Sequence, residues 1–294
     1  MPLNVDSRSK ALLQGAIDTH VHTAPDIYPR SVTVLEAAQN AKSAGMRAIL
    51  VKSHCTDTSD RAELSRILAG FPVYGGVTLN YPVGGLNIHA VRESIRQGSR
   101  QIWMPSTSAP SFLREADSVP HLAKTLPEGV EGITILKKNG QLVPEINPIL
   151  ALIAEHDIAL ATSHVYPSEA LVLVRAAVKA GIRRITITHP HADFLGYTVD
   201  QMVKLSGMGG LLEFHFAFTT KAVRDPLSVA DLAKTIRAVG PEHCILATDG
   251  GQAVNPPPHE MLRLFIAGML EAGFSEDEIQ TMTKRNPGWI LGLS

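Results

Sequence analysis

Two histidines one residue apart, His20 and His22, close an apolar run near the start of the chain (IDTHVH), and His164, His189 and Asp249 close later apolar runs (ATSH, TITH, ILATD). Alternation along a strand turns His20 and His22 to one side, so both imidazoles can reach one ion. Four imidazoles and a carboxylate make a borderline-soft N/O site for a divalent cation, with Zn the first choice and Mn, Fe or Co the alternatives. Such a cation lowers the pKa of a bound water from 15.7 towards roughly 7 and polarises a carbonyl. An HxH pair alone is weak, since a polar strand edge explains it equally well. The joint occurrence of His, His and Asp at three further strand ends is what gives the pattern weight.

The elements that must position these residues are short apolar runs alternating with amphipathic stretches, the mark of parallel strands with crossover helices. Eight runs are found, at 16–22, 47–54, 72–80, 100–105, 158–164, 184–189, 211–216 and 244–249. Their near-continuous apolar character suits strands covered on both faces. Between them Ile146, Ile149, Leu150 and Ile153 recur at helical spacing, as do Leu232, Ile236 and Val239. Ala44-Gly45, Ala69-Gly70 and Ala180-Gly181 precede strands and supply helix stops. The expected fold is α/β, a single (β/α)8 TIM barrel over residues 1–294, whose strands deliver their C-terminal residues to one mouth. An insertion between strands 4 and 5, residues 106–144, is expected over that mouth; it holds SAPSFL, a helix-like piece and a hairpin candidate turning at Asn139-Gly140. After strand eight, Pro256, Pro257 and Pro258 break the chain before a helix over 260–271 and another from about 275.

Further strand-end or loop residues are candidates for substrate contact: Lys52, His54, Asn80, Arg30, His191 and His215. Three of them have a plainer reading. Arg30 reads as a solvent-exposed loop cation, His191 as a solvated loop residue, and His215 as a partner for Glu213 on the same strand. Trp103 and Met104 read first as packing, and Lys137 and Lys138 as facing water. His89, His121, His156, His243 and His259 read as surface residues.

With these residues in hand, the chain resembles the amidohydrolase superfamily. His20-Val21-His22, His164, His189 and Asp249 match its metal-ligand pattern, and Asn286-Pro287 with Leu291-Gly292-Leu293 resembles a tail common among its members. The likeness spans the whole chain and is greatest to compact single-domain members. It implies a metal-dependent enzyme that hydrolyses a C–N bond in a small amide or cyclic amide, with lactones close behind. It also implies that Asp249 both touches the ion and takes the proton of the attacking water. Related barrels include decarboxylases and phosphoesterases, which stay open as alternatives, as does an inactive barrel used for binding. Many two-metal members carry a bridging Lys or Glu at the end of strand four, but here that strand ends Trp103-Met104-Pro105-Ser106. Lys52, near the end of strand two, is the available bridging ligand if carboxylated; otherwise it reads as a cation for a substrate carboxylate. The resemblance further implies a homo-oligomer.

Composition narrows the partners. A formal net charge of -1 over 294 residues offers no basic field for a phosphate backbone, so a small-molecule substrate is expected and nucleic acid is not. No run approaches the roughly 20 apolar residues of a membrane span, and the start MPLNVDSRSK lacks the order of a secretory signal. Two cysteines, Cys55 and Cys244, suit a reducing compartment, so the cytoplasm is the expected location.

Overall fold

Among the described residues nine parallel strands are strung in chain order: β1 (Ile17–His22), β2 (Ala48–Lys52), β3 (Val73–Tyr74), β4 (Gly76–Thr78), β5 (Gln101–Trp103), β6 (Ala159–Ala161), β7 (Ile185–Thr188), β8 (Gly210–His215) and β9 (Cys244–Ala247). They are seen in a computed structural model that describes residues 5–114 and 129–293. β1, β2 and β3 pair in that order, and β4 through β9 pair consecutively. β3 and β4 are two halves of one barrel stave, broken at Gly75. There the Thr58 hydroxyl, at the start of helix Ser59–Ala69, donates to the Gly76 carbonyl at 3.0 Å and accepts from the Gly76 N–H at 2.9 Å. A Cβ at Gly75 would stand 2.5 Å from the Thr58 backbone, so only glycine allows this approach. The eight expected runs are thus the eight staves of an α/β, (β/α)8 barrel with helices outside.

The ring joins between β9 and β1. The His22 N–H donates to the Gly250 carbonyl at 2.7 Å, and Val21 bridges Gly250 in parallel. Below this seam Asp18 accepts from the Thr248 N–H at 3.1 Å and from its hydroxyl at 2.5 Å. Inside the barrel, alanines at 48, 159, 161 and 247 leave room for the fully buried Trp103, which packs with Ile17, Leu50 and Ile245. Ile290 and Leu291 of the C-terminal helix Asn286–Leu291 close this interior from below. Alternate residues such as Ile49, Val51, Ile102, Ile187, Phe214 and Leu246 point outward into the larger apolar layer shared with the helices. Trp103 and Met104 are both packing residues, as their composition suggested.

Three expectations need correction or refinement. The strand ladders stop two or more residues short of His54, Asn80, His164 and Asp249, and one short of His189, so these groups stand on the loops that leave the staves. The hairpin in the insertion is a tight turn with one Leu136–Leu142 bridge, because Gly140 and Gln141 close back on Lys137 with no longer ladder behind them. The helix-like piece of that insertion, and His121, lie outside the described residues. Of the other histidines assigned to the surface, His89 and His156 are exposed, whereas His243 and His259 are half-buried.

Candidate metal centre

β1 and the loop leaving β9 bring three donor atoms together at the mouth. His22 Nε2 lies 3.1 Å and His20 Nε2 3.4 Å from Asp249 Oδ1. Both imidazoles face the interior because the β1–β2 register slips between Asp18 and Val21. This bulge supplies the odd residue that lets Ile17 pack in the barrel and His20 and His22 also turn inward. Asp249 has φ +46°, a left-handed conformation costly for a residue with a Cβ. Its backbone turn swings the carboxylate back over the seam, where Thr248 holds the preceding position against Asp18.

These residues suit a divalent cation. Two donor atoms bound to one tetrahedral zinc at roughly 2.0–2.1 Å are about 3.4 Å apart, close to the 3.4 and 3.1 Å that separate the two imidazole nitrogens from Asp249 Oδ1. His20 Nε2 is buried and has no hydrogen-bond partner, an orphaned lone pair or N–H that a ligand would satisfy. His189, which follows β7 with φ +54°, points Nε2 at Asp249 Oδ2 from 4.0 Å. His164 belongs neither to that group of three donors nor to a second one formed by His20, His189 and His215; its ring is 5.2 Å from that of His189 and its Nδ1 is buried without a partner. His20, His22 and Asp249 therefore form one tight corner, with His189 and His164 ranged along the opposite side.

Below that corner runs a buried polar network. Glu213, fully buried on β8, accepts from the Thr19 hydroxyl at 2.5 Å and lies 3.3 Å from His20 Nδ1 and 3.2 Å from His215 Nε2. His215 Nδ1 in turn lies 2.9 Å from His189 Nδ1. Burial pushes Glu213 up to about 8, opposed by the Thr19 hydrogen bond and the Lys52 charge. Burial likewise raises Asp249, opposed by His215, Lys52 and Arg30. It lowers His20, His22, His54, His164, His189 and His191 well below the usual imidazole range. Neutral imidazole is the form that binds a metal.

A cavity of about 210 Å³ opens above, lined by His22, His54, His164, His189, His191 and Asp249 on its polar side and by Phe112, Phe194 and Phe218 on its apolar side. Phe112 comes from the insertion, so that segment does reach the mouth. Two plain readings are overturned here. Arg30 is turned inward, its guanidinium paired with Asp26 at 2.8 Å and 3.4 Å from His22 Nδ1. His191 is buried on the cavity wall, stacked on Phe214, with neither ring nitrogen bonded.

Other candidates fall elsewhere. Asn80 is fully buried and does not line the cavity; its amide donates to the His54 carbonyl at 3.0 Å and the Ser106 hydroxyl at 2.8 Å, and its oxygen accepts from the Ser106 N–H at 2.8 Å. It ties two mouth loops together and is not a substrate donor. His54 lines the cavity, stacked on His22 at 4.7 Å. His215 and Lys52 lie beneath the cavity rather than on its wall. Lys52 Nζ is buried without a hydrogen bond, 5.7 Å over the Trp103 ring, and burial lowers it to about 8. Sequence reasoning missed the wall residues Phe194 and Phe218; their position shortly after the ends of β7 and β8 was the available signal.

A family model described as a family of unknown function (DUF6282) matches residues 15–213. The chain belongs to this family. The matched DUF6282 span runs from β1 to Glu213 and so holds His20, His22, Lys52, His164 and His189, while Asp249 lies beyond it. Among curated proteins no sequence match was found. Solved structures with the same fold include an amidohydrolase from Pseudomonas aeruginosa, with a TM-score of 0.62 at 11% identity over 99% of this chain and 100% of that one. The 2,6-dihydroxybenzoate decarboxylase from Rhizobium aligns with a TM-score of 0.58 at 10% identity, over 95% of this chain and 99% of that one. The phosphotriesterase homology protein from Escherichia coli, complexed with phosphate in its active site, aligns with a TM-score of 0.56 at 14% identity over 95% and 99% of the two chains. At these identities the likeness is one of fold.

Proposed function

We propose that this chain is a divalent-metal-dependent hydrolase of the amidohydrolase superfamily, acting on a small amide or cyclic amide, with lactones next in order. The observation that carries this reading is the convergence of His20 Nε2, His22 Nε2 and Asp249 Oδ1 at the cavity that His22 and Asp249 line, with His20 Nε2 lacking any other partner. The family resemblance of the whole ligand pattern supports it.

His20, His22 and Asp249 would hold the first ion, Zn by preference, with His189 and His164 as ligands on the far side. When bound, the ion acidifies water and polarises the substrate carbonyl. The protein's own residues divide the remaining work. Asp249 keeps Oδ1 towards the two histidines, which leaves Oδ2 to accept the proton of the attacking water and return it to the leaving nitrogen. His191, with both ring nitrogens free at the wall, donates to a substrate oxygen. Phe112, Phe194 and Phe218 enclose the apolar part of the substrate and keep bulk water from the reacting centre. Lys52 lies under the ligands and off the cavity wall, a placement that favours a carboxylated bridge between two ions over contact with substrate.

Elemental analysis of the purified chain, joined to a screen of amides, cyclic amides and lactones with Zn supplied, tests the reading. At least one ion per chain and turnover of a C–N or lactone bond are expected. A chain that takes up no divalent ion, or that leaves this panel intact while releasing carbon dioxide from carboxylic acids or phosphate from phosphate esters, overturns it.

A further inference from the structure

His20, His215 and His189 form a chain of imidazoles: His20 Nδ1 lies 3.0 Å from His215 Nε2, and His215 Nδ1 lies 2.9 Å from His189 Nδ1. His215 belongs with His20 and His189 to a second group of three close donors, but both of its ring nitrogens face side chains, Nδ1 that of His189 and Nε2 those of His20 and Glu213, which leaves neither for an ion.

Counting protons fixes their places, on the proposed reading that His20 and His189 both present Nε2 lone pairs to the metal corner. A neutral imidazole carries one proton, so each of these two must carry it on Nδ1. The His189 Nδ1 proton is then donated to His215 Nδ1, which must be bare. The single proton of neutral His215 is left on Nε2, where it meets another N–H, that of His20 Nδ1. Two donors now face each other with no acceptor between them. Among the described residues Glu213 Oε2 is placed to take both, 3.2 Å from His215 Nε2 and 3.3 Å from His20 Nδ1, while Oε1 is occupied by the Thr19 hydroxyl. Without a carboxylate here, the three rings can prepare His20 or His189 for a metal, but not both.

We infer that Glu213 and His215 are positioning residues that set the tautomers of His20 and His189 from below, Glu213 directly on His20 and through His215 on His189. This inference rests on the proposed ligand set and deepens it. It makes the two sides of the centre interdependent, since one carboxylate oxygen faces His20 directly and His189 through His215.

The test is nuclear magnetic resonance of the full chain with 15N-labelled histidine, Zn-loaded, together with Zn competition titration of the chain and of Glu213→Gln. Expected are Nδ1–H at His20 and His189, Nε2–H at His215, and a Zn affinity weakened about 10–100-fold in Glu213→Gln, the range typical when a ligand's hydrogen-bond partner is lost. Nδ1–H at His215 overturns the inference whatever the affinity, and so does unchanged Zn affinity in a folded Glu213→Gln. Should the chain bind no Zn, the functional reading falls, yet the tautomer of His215 in that same sample still decides the relay: Nε2–H supports it and Nδ1–H removes it. If Glu213→Gln fails to fold, the His215 tautomer in the unaltered protein decides the matter in the same way.

Discussion

The Thr248 hydroxyl donates to Asp18 Oδ2 at 2.5 Å across the seam where β9 meets β1. Both side chains are fully buried, and burial raises Asp18 to about 7 in spite of its three donors. Hydrogen bonds to a charged group contribute about 1.5–3 kcal/mol. Thr248→Val should lower unfolding stability by about that much, read from the denaturant midpoint. Because Asp249 is the next residue, the same variant should bind Zn more weakly; a stable, normally loaded variant would detach the seam from the metal corner.

Asp249→Asn should fold, since its side chain is partly exposed to the cavity and anchors no secondary structure, yet lose turnover. General-base removal alone costs typically 10²–10⁴-fold, and loss of a ligand adds to it. Steady-state kinetics with the substrate found by screening gives the measure; activity near that of the unaltered chain would refute the assigned role.

Lys52→Ala should lower bound metal from two ions to one per chain if a carboxylated Lys52 bridges them. Elemental analysis after loading with Zn and bicarbonate reads this directly. Equal metal content in the two proteins would leave Lys52 as a buried cation held over Trp103.

Acid should destabilise the metal-free chain. Burial holds seven strand-end histidines below the usual range, His215 at about 3 among them. A lowered value gives stability that is present above about pH 6.5 and lost as pH falls. Asp18, Glu213 and Asp249 are raised, and their contribution runs the other way, present at low pH and lost as pH rises through about 7 to 8 for Asp18 and Glu213. From about pH 6.5 down to about pH 4 the unfolded chain gains more protons on these groups than the native chain holds, so the histidines prevail. Thermal unfolding of chelator-treated protein should show a midpoint several degrees lower near pH 5.5 than near pH 7.5. A higher midpoint in acid would mean that the carboxylates dominate.

The staves were legible because parallel strands covered on both faces must be apolar throughout, and each of the eight runs became one. Their ends were less so. His189 and Asp249, and Ser163 just before His164, have φ between +46° and +55°, and this turn ends the ladder before the functional group is reached. No local pattern marks it, since none of the three is glycine. The slip in β1 was equally hidden: two alternating histidines look the same with or without a bulge. Arg30 was misjudged because its burial depends on Asp26 folding back across four residues, and Asn80 because its partners, His54 and Ser106 among them, come from loops distant in sequence. The pairing of Glu213 with His215 was visible as spacing on one strand, but its extension to His20 and His189 belongs to the closed barrel alone.

The barrel resembles a hoop whose two ends overlap at a single joint. His20 and His22 lie on one end, Asp249 on the other, and few backbone hydrogen bonds span the overlap. A cation gripped there acts as a clasp, so loading the protein and fastening its first strand to its last become one event. Stripping the ion would loosen the wall where its first and last strands meet.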